Sequence, residues 1–155
     1  MENIRIFCEN DNKHHEFPIG ISLQEIARLV CPEYAVLAAL VDNQLKELSY
    51  SVIAPHVIRF IGYDHAEGRR TYIRSLCFVL QKVVRELFPE NVLVIDYSLP
   101  SGLYCEIREK EAGHDGRPVV RRITDQEIEN IYARMKEVVA ADLPFTKAKL
   151  NMEDT

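Results

Sequence analysis

One predicted helix, from Arg69 to Phe88, carries the side chains most suited to binding chemistry. At about 100° per residue, four polar side chains and one aromatic ring share a face of it, namely Arg70, Arg74, Phe78, Gln81 and Arg85. Guanidinium groups bind phosphate and an aromatic ring stacks on a base, so these residues are a candidate face for phosphate or RNA. The abundant acidic residues favour the alternative, in which the arginines form surface ion pairs while the phenylalanine packs under a neighbouring domain.

Residues for acid–base or metal chemistry are sparse elsewhere. The histidines lie in predicted turns and loops, at positions 14, 15, 56, 65 and 114. His14 and His15 point in opposite directions if extended, which makes them a poor metal pair. His65 and His114 each have a neighbouring aspartate, a pairing that is common by chance. No phosphate-binding Gly-x-x-x-x-Gly-Lys-Ser/Thr loop occurs. We therefore predict no catalytic residue, no metal site and no cofactor in this chain.

Composition restricts the classes of protein that this chain can represent. The 155 residues carry a net charge of -5, which argues against a protein that binds nucleic acid by bulk electrostatics. We expect no DNA partner. The four cysteines form no Cys-x-x-Cys pair, so we expect buried thiols in a reducing compartment. No secretory signal opens the chain, and no apolar run approaches the length of a membrane span. We expect a cytoplasmic protein with no membrane partner.

The first segment, residues 1–64, alternates short strands with one helix. Strands are predicted at residues 4–8, 16–17, 36–41, 45–48 and 57–61. Ser22 and Glu25 form a capping box that opens the helix. The order strand, strand, helix, strand, strand, strand over about sixty residues is typical of a ubiquitin-like β-grasp layout.

The second segment, residues 68–155, begins with the long helix. Thr124 and Glu127 form a second capping box, which opens a helix with an apolar stripe running from Ile128 to Val139. The remaining predicted elements are strands at residues 91–97, 103–107 and 145–150 and a mobile loop at residues 109–118.

The first segment resembles a TGS domain, a small β-grasp module found in threonyl-tRNA synthetases, stringent-response enzymes and certain GTPases. The matching stretches are residues 16–20, 22–27 and 41–45. The second segment resembles the start of the second additional domain of threonyl-tRNA synthetase, which in that family follows a TGS domain. Its matching stretches are residues 85–89, 101–106 and 123–128. The resemblance implies an α+β chain with a TGS domain at 1–64 and a partial second additional domain at 68–155.

The same pair of modules stands at the front of bacterial uridine-kinase-like proteins, and residues 70–80 look closer to that group. This resemblance implies a non-catalytic nucleotide- or RNA-binding or regulatory region of a nucleoside kinase. ATP and magnesium would then belong to a P-loop domain beyond Thr155. The alternatives are the N-terminal or tRNA-editing region of a threonyl-tRNA synthetase, and a protein-interaction scaffold.

The resemblance also implies that editing chemistry is absent. In the synthetase family this helix carries His-x-x-x-His, and the two positions are Arg74 and Phe78 here. The family's later Cys-x-x-x-His pair is missing too, since no cysteine follows Cys105. The partners we expect are RNA (tRNA) or a nucleotide, together with a downstream domain of the same protein.

Overall fold

A computed structural model of the chain describes residues 2–100, 102–113 and 116–146. It is an α+β structure, as predicted, and divides into two compact units, Met1–Ser75 and Leu76–Thr155. The described elements are β1 (Asn3–Cys8), β2 (Lys13–Pro18), β3 (Ile21–Ser22), α1 (Leu23–Val30), β4 (Ala38–Val41), β5 (Gln44–Lys46), β6 (Ser51–Val52), β7 (Val57–Ile61), α2 (Ala66–Leu87), β8 (Asn91–Leu99), β9 (Gly102–Ala112), β10 (Pro118–Val120) and α3 (Asp125–Ala140). The boundary between units falls within α2, so each unit is described by itself. Our predicted domain limits, 1–64 and 68–155, remain a prediction.

The first unit is built on a five-stranded sheet in the order β2-β1-β7-β4-β5. β1 runs parallel to β7, whereas the other neighbouring pairs are antiparallel. This mixed order is the β-grasp arrangement expected from the sequence. Alternate residues of the strands face α1, and the resulting core includes Ile6, Leu23, Ile26, Ile58 and Phe60.

The capping box predicted at α1 is present. The amide of Ser22 donates to Oε2 of Glu25 at 3.0 Å, and the amide of Glu25 donates to Oγ of Ser22 at 3.2 Å. Two amides that lack a partner within the helix are thereby satisfied. The first unit therefore contains the helix where the sequence placed it.

The hairpin between β1 and β2 is tighter than we predicted. β2 begins at Lys13, so His14 and His15 lie in a strand rather than in a turn. Asn12 supplies the left-handed backbone conformation at the turn, with φ of 56°. The two histidines consequently point to opposite faces of the sheet, as expected for an extended segment.

The connection from β7 to α2 is held by a close approach between two glycines. A Cβ added at Gly68 would lie 1.9 Å from the carbonyl oxygen of Gly62. The hydroxyl of Tyr34 accepts from the amide of Gly62 at 2.7 Å and donates to Oδ1 of Asp64 at 2.5 Å. The start of α2 thus depends on a position where no side chain fits.

The second unit has a three-stranded antiparallel sheet in the order β10-β9-β8. Val84 of α2 packs with Leu93 and Ile107, and partly buried apolar side chains surround this small core. The prediction of a mobile loop at residues 109–118 is wrong at both ends, because β9 extends to Ala112 and β10 begins at Pro118.

The predicted helix α3 forms with its capping box, but its apolar stripe is not buried as expected. None of its residues is fully buried, and Ile128, Tyr132 and Val139 are exposed. Within the stripe, Ile131 packs against the small core of Val84, Leu93 and Ile107 and is partly buried. Of the strand predicted at 145–150, residues 145 and 146 are not in a strand, and residues 147–150 lie outside the described part.

We expect Gly68→Ala to destabilise the chain by about 2–3 kcal/mol, since overpacking outweighs the higher helix propensity of alanine. The physical reason is the clash between the added Cβ and the Gly62 carbonyl. Urea unfolding followed by circular dichroism measures the change. Arg69→Ala, at the adjacent exposed position of α2, is the control and should be nearly neutral. A Gly68→Ala chain as stable as the unmodified one would contradict the close approach.

Candidate functional site

All five residues of the predicted binding face lie on α2 and are exposed, namely Arg70, Arg74, Phe78, Gln81 and Arg85. Their positions repeat at intervals of three or four residues, which is the spacing of one helical face. The first two belong to the first unit, and the other three belong to the second. We call these five residues the α2 basic face.

The arginines of this face differ in their partners. Nη1 of Arg70 donates to Oε1 of Glu67 at 2.5 Å, an exposed pair of the kind that stabilises a helix little. Within the part of the chain that the structure describes, Arg74 and Arg85 have neither a hydrogen bond nor an ion pair. Surface pairing, the alternative weighed above, thus accounts for one of the three guanidinium groups.

Phe78 remains accessible although it has an aromatic neighbour. Its ring meets that of Phe145 edge to face, with the ring centroids 5.2 Å apart. The side chain is still 61% exposed. Since only part of its surface is covered, the ring remains available for stacking, and the carboxamide of Gln81 offers both a donor and an acceptor on the same helix.

Other cations of α2 and α3 are already engaged by carboxylates. Glu86 accepts from Nζ of Lys82 and, at 3.1 Å, from Nε of Arg134. These two cations lower the pKa of the Glu86 carboxyl, with Lys82 the larger cause. Arg134 also donates to Glu137 at 2.7 Å. Lys82, a further basic residue of α2, is therefore less available to an anion than Arg74 or Arg85.

Two of the histidines, His15 and His65, have partners close to them in the sequence. The ring of His15 contacts Asp11 at 2.8 Å, and Nδ1 of His65 accepts from the amide of Glu67 at 3.2 Å. The carboxylate of Asp64 accepts from the hydroxyl of Tyr34, and this bond lowers the pKa of Asp64, as does a weaker bond from the backbone amide of His65. His114 lies outside the described residues. Within the described part, no three His, Cys, Asp or Glu side chains are grouped as metal ligands.

One histidine–carboxylate pair was missed by the sequence analysis. Nδ1 of His56 lies 2.6 Å from Oδ2 of Asp42, while Oδ1 of Asp42 accepts from the amide of Val57 at 2.9 Å. The bond from Val57, followed by that from His56, lowers the pKa of Asp42. Fourteen positions separate the two side chains, so no local spacing could reveal them. The only hint was an aspartate in the turn Asp42-Asn43, a residue type that tolerates positive φ.

The cysteines are less uniformly buried than predicted. Cys8 is buried, Cys31 and Cys77 are half-buried, and Cys105 is exposed. Burial raises the pKa of Cys8, and burial together with the nearby Cys8 raises the pKa of Cys31 to about 11. All four are free thiols. A raised pKa makes a thiol less reactive near neutral pH, so the first unit holds no activated nucleophile of this type.

The comparisons with known proteins extend over most of the chain. A threonine–tRNA ligase of Syntrophomonas wolfei is 26% identical over 99% of the chain, and one of Symbiobacterium thermophilum is 26% identical over 93%. The corresponding ligase of Carboxydothermus hydrogenoformans is 25% identical over 93%. The chain is similar to one region of these ligases. No family model matches it.

The match covers only a small share of each relative. The chain spans 22%, 21% and 22% of the lengths of these three ligases. The resemblance to threonyl-tRNA synthetases stated from the sequence is supported by these relatives. They do not show a uridine-kinase context, and they favour the synthetase alternative over that first hypothesis. Nothing about the catalytic activity of a whole ligase passes to this chain from a match of this extent.

Alkylation should distinguish the thiols by position. At pH 8 and a pKa of about 11, only about one Cys31 thiol in a thousand is ionised. Burial also raises the pKa of Cys105, but its thiol is exposed, so we expect it to react with iodoacetamide before Cys31. Cys8 should react only as the first unit unfolds. Peptide mass spectrometry over a time course measures the order, and the same experiment in urea is the control, because all four thiols should then react. Early modification of Cys8 in the folded chain would contradict its burial.

Among the helices in the described residues, none is both long enough and apolar enough to cross a membrane.

Proposed function

We propose that this chain is a non-catalytic RNA-binding region of a threonyl-tRNA-synthetase-like protein, with tRNA as the RNA. The observation that carries the proposal is the presence of Arg74 and Arg85 without partners in the described part of the chain, on the helix that also exposes the ring of Phe78. A guanidinium group with no protein partner retains all of its donors for phosphate oxygens.

The relatives supply the class of RNA. Each reported relative is a threonine–tRNA ligase, a protein whose name states that it joins threonine to tRNA. The net charge of -5 restricts this binding to a local surface, because the chain as a whole does not attract a polyanion. A modest affinity with strong dependence on salt is the expected behaviour.

The proposal assigns no catalysis to the α2 basic face. Neither Arg74 nor Phe78 can relay a proton near neutral pH as a histidine does. These are the positions at which the resemblance predicts the two editing histidines of a synthetase. The α2 basic face therefore holds the RNA, and any chemistry on the RNA belongs to other parts of the protein.

The nucleoside-kinase parent, with its ATP and magnesium, has no support from a specific feature of this structure. No structural observation in the described residues favours it over a synthetase-like parent. The second alternative is a protein-interaction scaffold that binds no RNA. A direct measurement of tRNA binding distinguishes it from the proposed function.

Binding of a tRNA transcript to the 155-residue chain tests the proposal by fluorescence anisotropy at several salt concentrations. The two ends of the α2 basic face lie in different units, so each end is changed in its own variant. One variant combines Arg70→Gln with Arg74→Gln, and the other carries Arg85→Gln alone. Each lost phosphate contact should reduce the slope of log affinity against log salt by about 0.7–0.9. Glutamine keeps the helix propensity close to that of arginine.

Charge-matched controls come from cations off this helix. Arg28→Gln with Lys46→Gln removes two charges from the first unit, and Lys136→Gln removes one from α3. Both controls should leave the salt slope within about 0.3 of the unmodified chain. If the control variants lost as much tRNA affinity and salt slope as the α2 variants, the assignment of RNA binding to the α2 basic face would be overturned. Failure of the unmodified chain to bind tRNA at low salt would overturn the function and favour the scaffold.

A further inference from the structure

A second surface with binding chemistry lies on the five-stranded sheet of the first unit. A cleft of about 520 Å³ opens on it, lined by residues from β1, β2, the β4–β5 turn and the start of β7. Ile4, Ile6 and Cys8 point into the core, so Arg5 and Phe7 point to the opposite, uncovered face. The cleft is shallow and largely open to solvent, so a ligand would lie across the face of the sheet and not inside a cavity.

One wall of this cleft is aromatic. Phe7 of β1 lies opposite His14 of β2 in the strand register, and their ring centroids are 5.0 Å apart at an angle of 55°. Pro55 and Val57 continue the apolar lining. Such a wall is suited to a flat ring, since stacking needs an exposed π-face and little else.

The polar side of the cleft has a fixed imidazole. Because Nδ1 of His56 donates to Oδ2 of Asp42, the remaining ring nitrogen, Nε2, is left for another partner. The second oxygen of Asp42 accepts from the amide of Val57 at 2.9 Å. Both carboxylate oxygens are thus occupied, which reduces the repulsion that Asp42 would exert on an anion.

Arg5 supplies the permanent positive charge of the cleft. Glu16 lies opposite it in the register of β1 and β2, yet no ion pair joins them in the part of the chain that the structure describes. A guanidinium group binds a phosphate group with two parallel hydrogen bonds. Since Nδ1 of His56 carries the proton that is donated to Asp42, Nε2 is an acceptor, which suits a hydroxyl group such as those of ribose.

We propose that this cleft binds a nucleoside phosphate, with the base against Phe7 and His14, the phosphate at Arg5 and a ribose hydroxyl at Nε2 of His56. The ligand is either a free nucleotide or one nucleotide of an RNA chain, since both present a flat ring joined to a phosphate. The proposal goes beyond the proposed function, because the α2 basic face contributes no residue to it.

Nuclear magnetic resonance titration of the 155-residue chain with adenosine monophosphate tests the site. The amide signals of Phe7, His14 and Val57 should shift in a saturable manner. Arg5→Gln should weaken binding about tenfold, in line with the loss of a charge-assisted hydrogen bond. Phe7→Leu keeps an apolar side chain but removes the ring, so the affinity for the nucleotide should fall towards that for inorganic phosphate.

Arg59→Gln is the matched control. Arg59 is an exposed arginine on β7 of the same sheet and does not line this cleft. It should change the dissociation constant less than twofold. If Arg59→Gln weakened nucleotide binding as much as Arg5→Gln, the proposed site would be overturned, because the loss would then reflect the overall charge of the chain and not a contact in the cleft.

Three further probes, namely inorganic phosphate, adenosine and an adenosine oligonucleotide, test which parts of the ligand are bound. Inorganic phosphate bound as tightly as the nucleotide would overturn the role of the ring, and adenosine bound as tightly would overturn that of the phosphate. Absence of shifts at the three cleft amides would overturn the site itself. A six-residue adenosine oligonucleotide that shifts the same amides at lower concentration supports RNA as the source, whereas stronger binding of the monophosphate supports a free nucleotide.

The two proposals fail separately. Arg5→Gln leaves the α2 basic face intact, so tRNA binding that is lost only in the α2 variants supports that face whatever happens at the cleft. Nucleotide shifts that persist in the α2 variants support the cleft even when the chain binds no tRNA.

Discussion

The parallel pairing of β1 with β7 closes the first unit, because it joins segments that are about fifty residues apart in the chain. The side chain of Asn10 extends this pairing: Nδ2 donates to the carbonyl of Phe60 at 2.9 Å, and Oδ1 accepts from its amide at 2.7 Å. Cys8, Ile58 and Phe60 are buried beside these bonds. Because a long loop must close before these contacts form, we expect the β1–β7 pair to set the cooperativity of this unit.

The same pairing creates the cleft on the uncovered face of the sheet. It places Phe7 beside Val57, and the amide of Phe7 donates to the carbonyl of His56 at 3.0 Å. The Asp42 carboxylate then fixes the start of β7 from the neighbouring turn. The side chains that line the cleft are therefore positioned by main-chain bonds of the core sheet, which gives a binding site rigidity at little entropic cost.

The α2 basic face has a different physical origin. Its spacing is a property of a single helix, so it needs no long-range contact to form. The surrounding structure decides which cationic side chains of α2 are available to bind an anion. Carboxylates engage Lys82 and Arg70, whereas Arg74 and Arg85 have no partner in the described residues. The net charge of -5 confines any attraction of a polyanion to these two arginines and their neighbours.

The sequence by itself determined the properties that depend on neighbours along the chain. The two capping boxes and the helix that carries the arginines follow from local spacing, and the order of elements along the chain indicated the β-grasp layout. Burial does not follow from such spacing: the α3 stripe and the Cys105 thiol were predicted to be buried, but Ile128, Tyr132, Val139 and Cys105 are exposed. The pairing of His56 with Asp42 was also hidden, as was the clash that requires glycine at position 68. Only the tertiary structure decides such features, because they depend on distances between atoms that the chain brings together by folding.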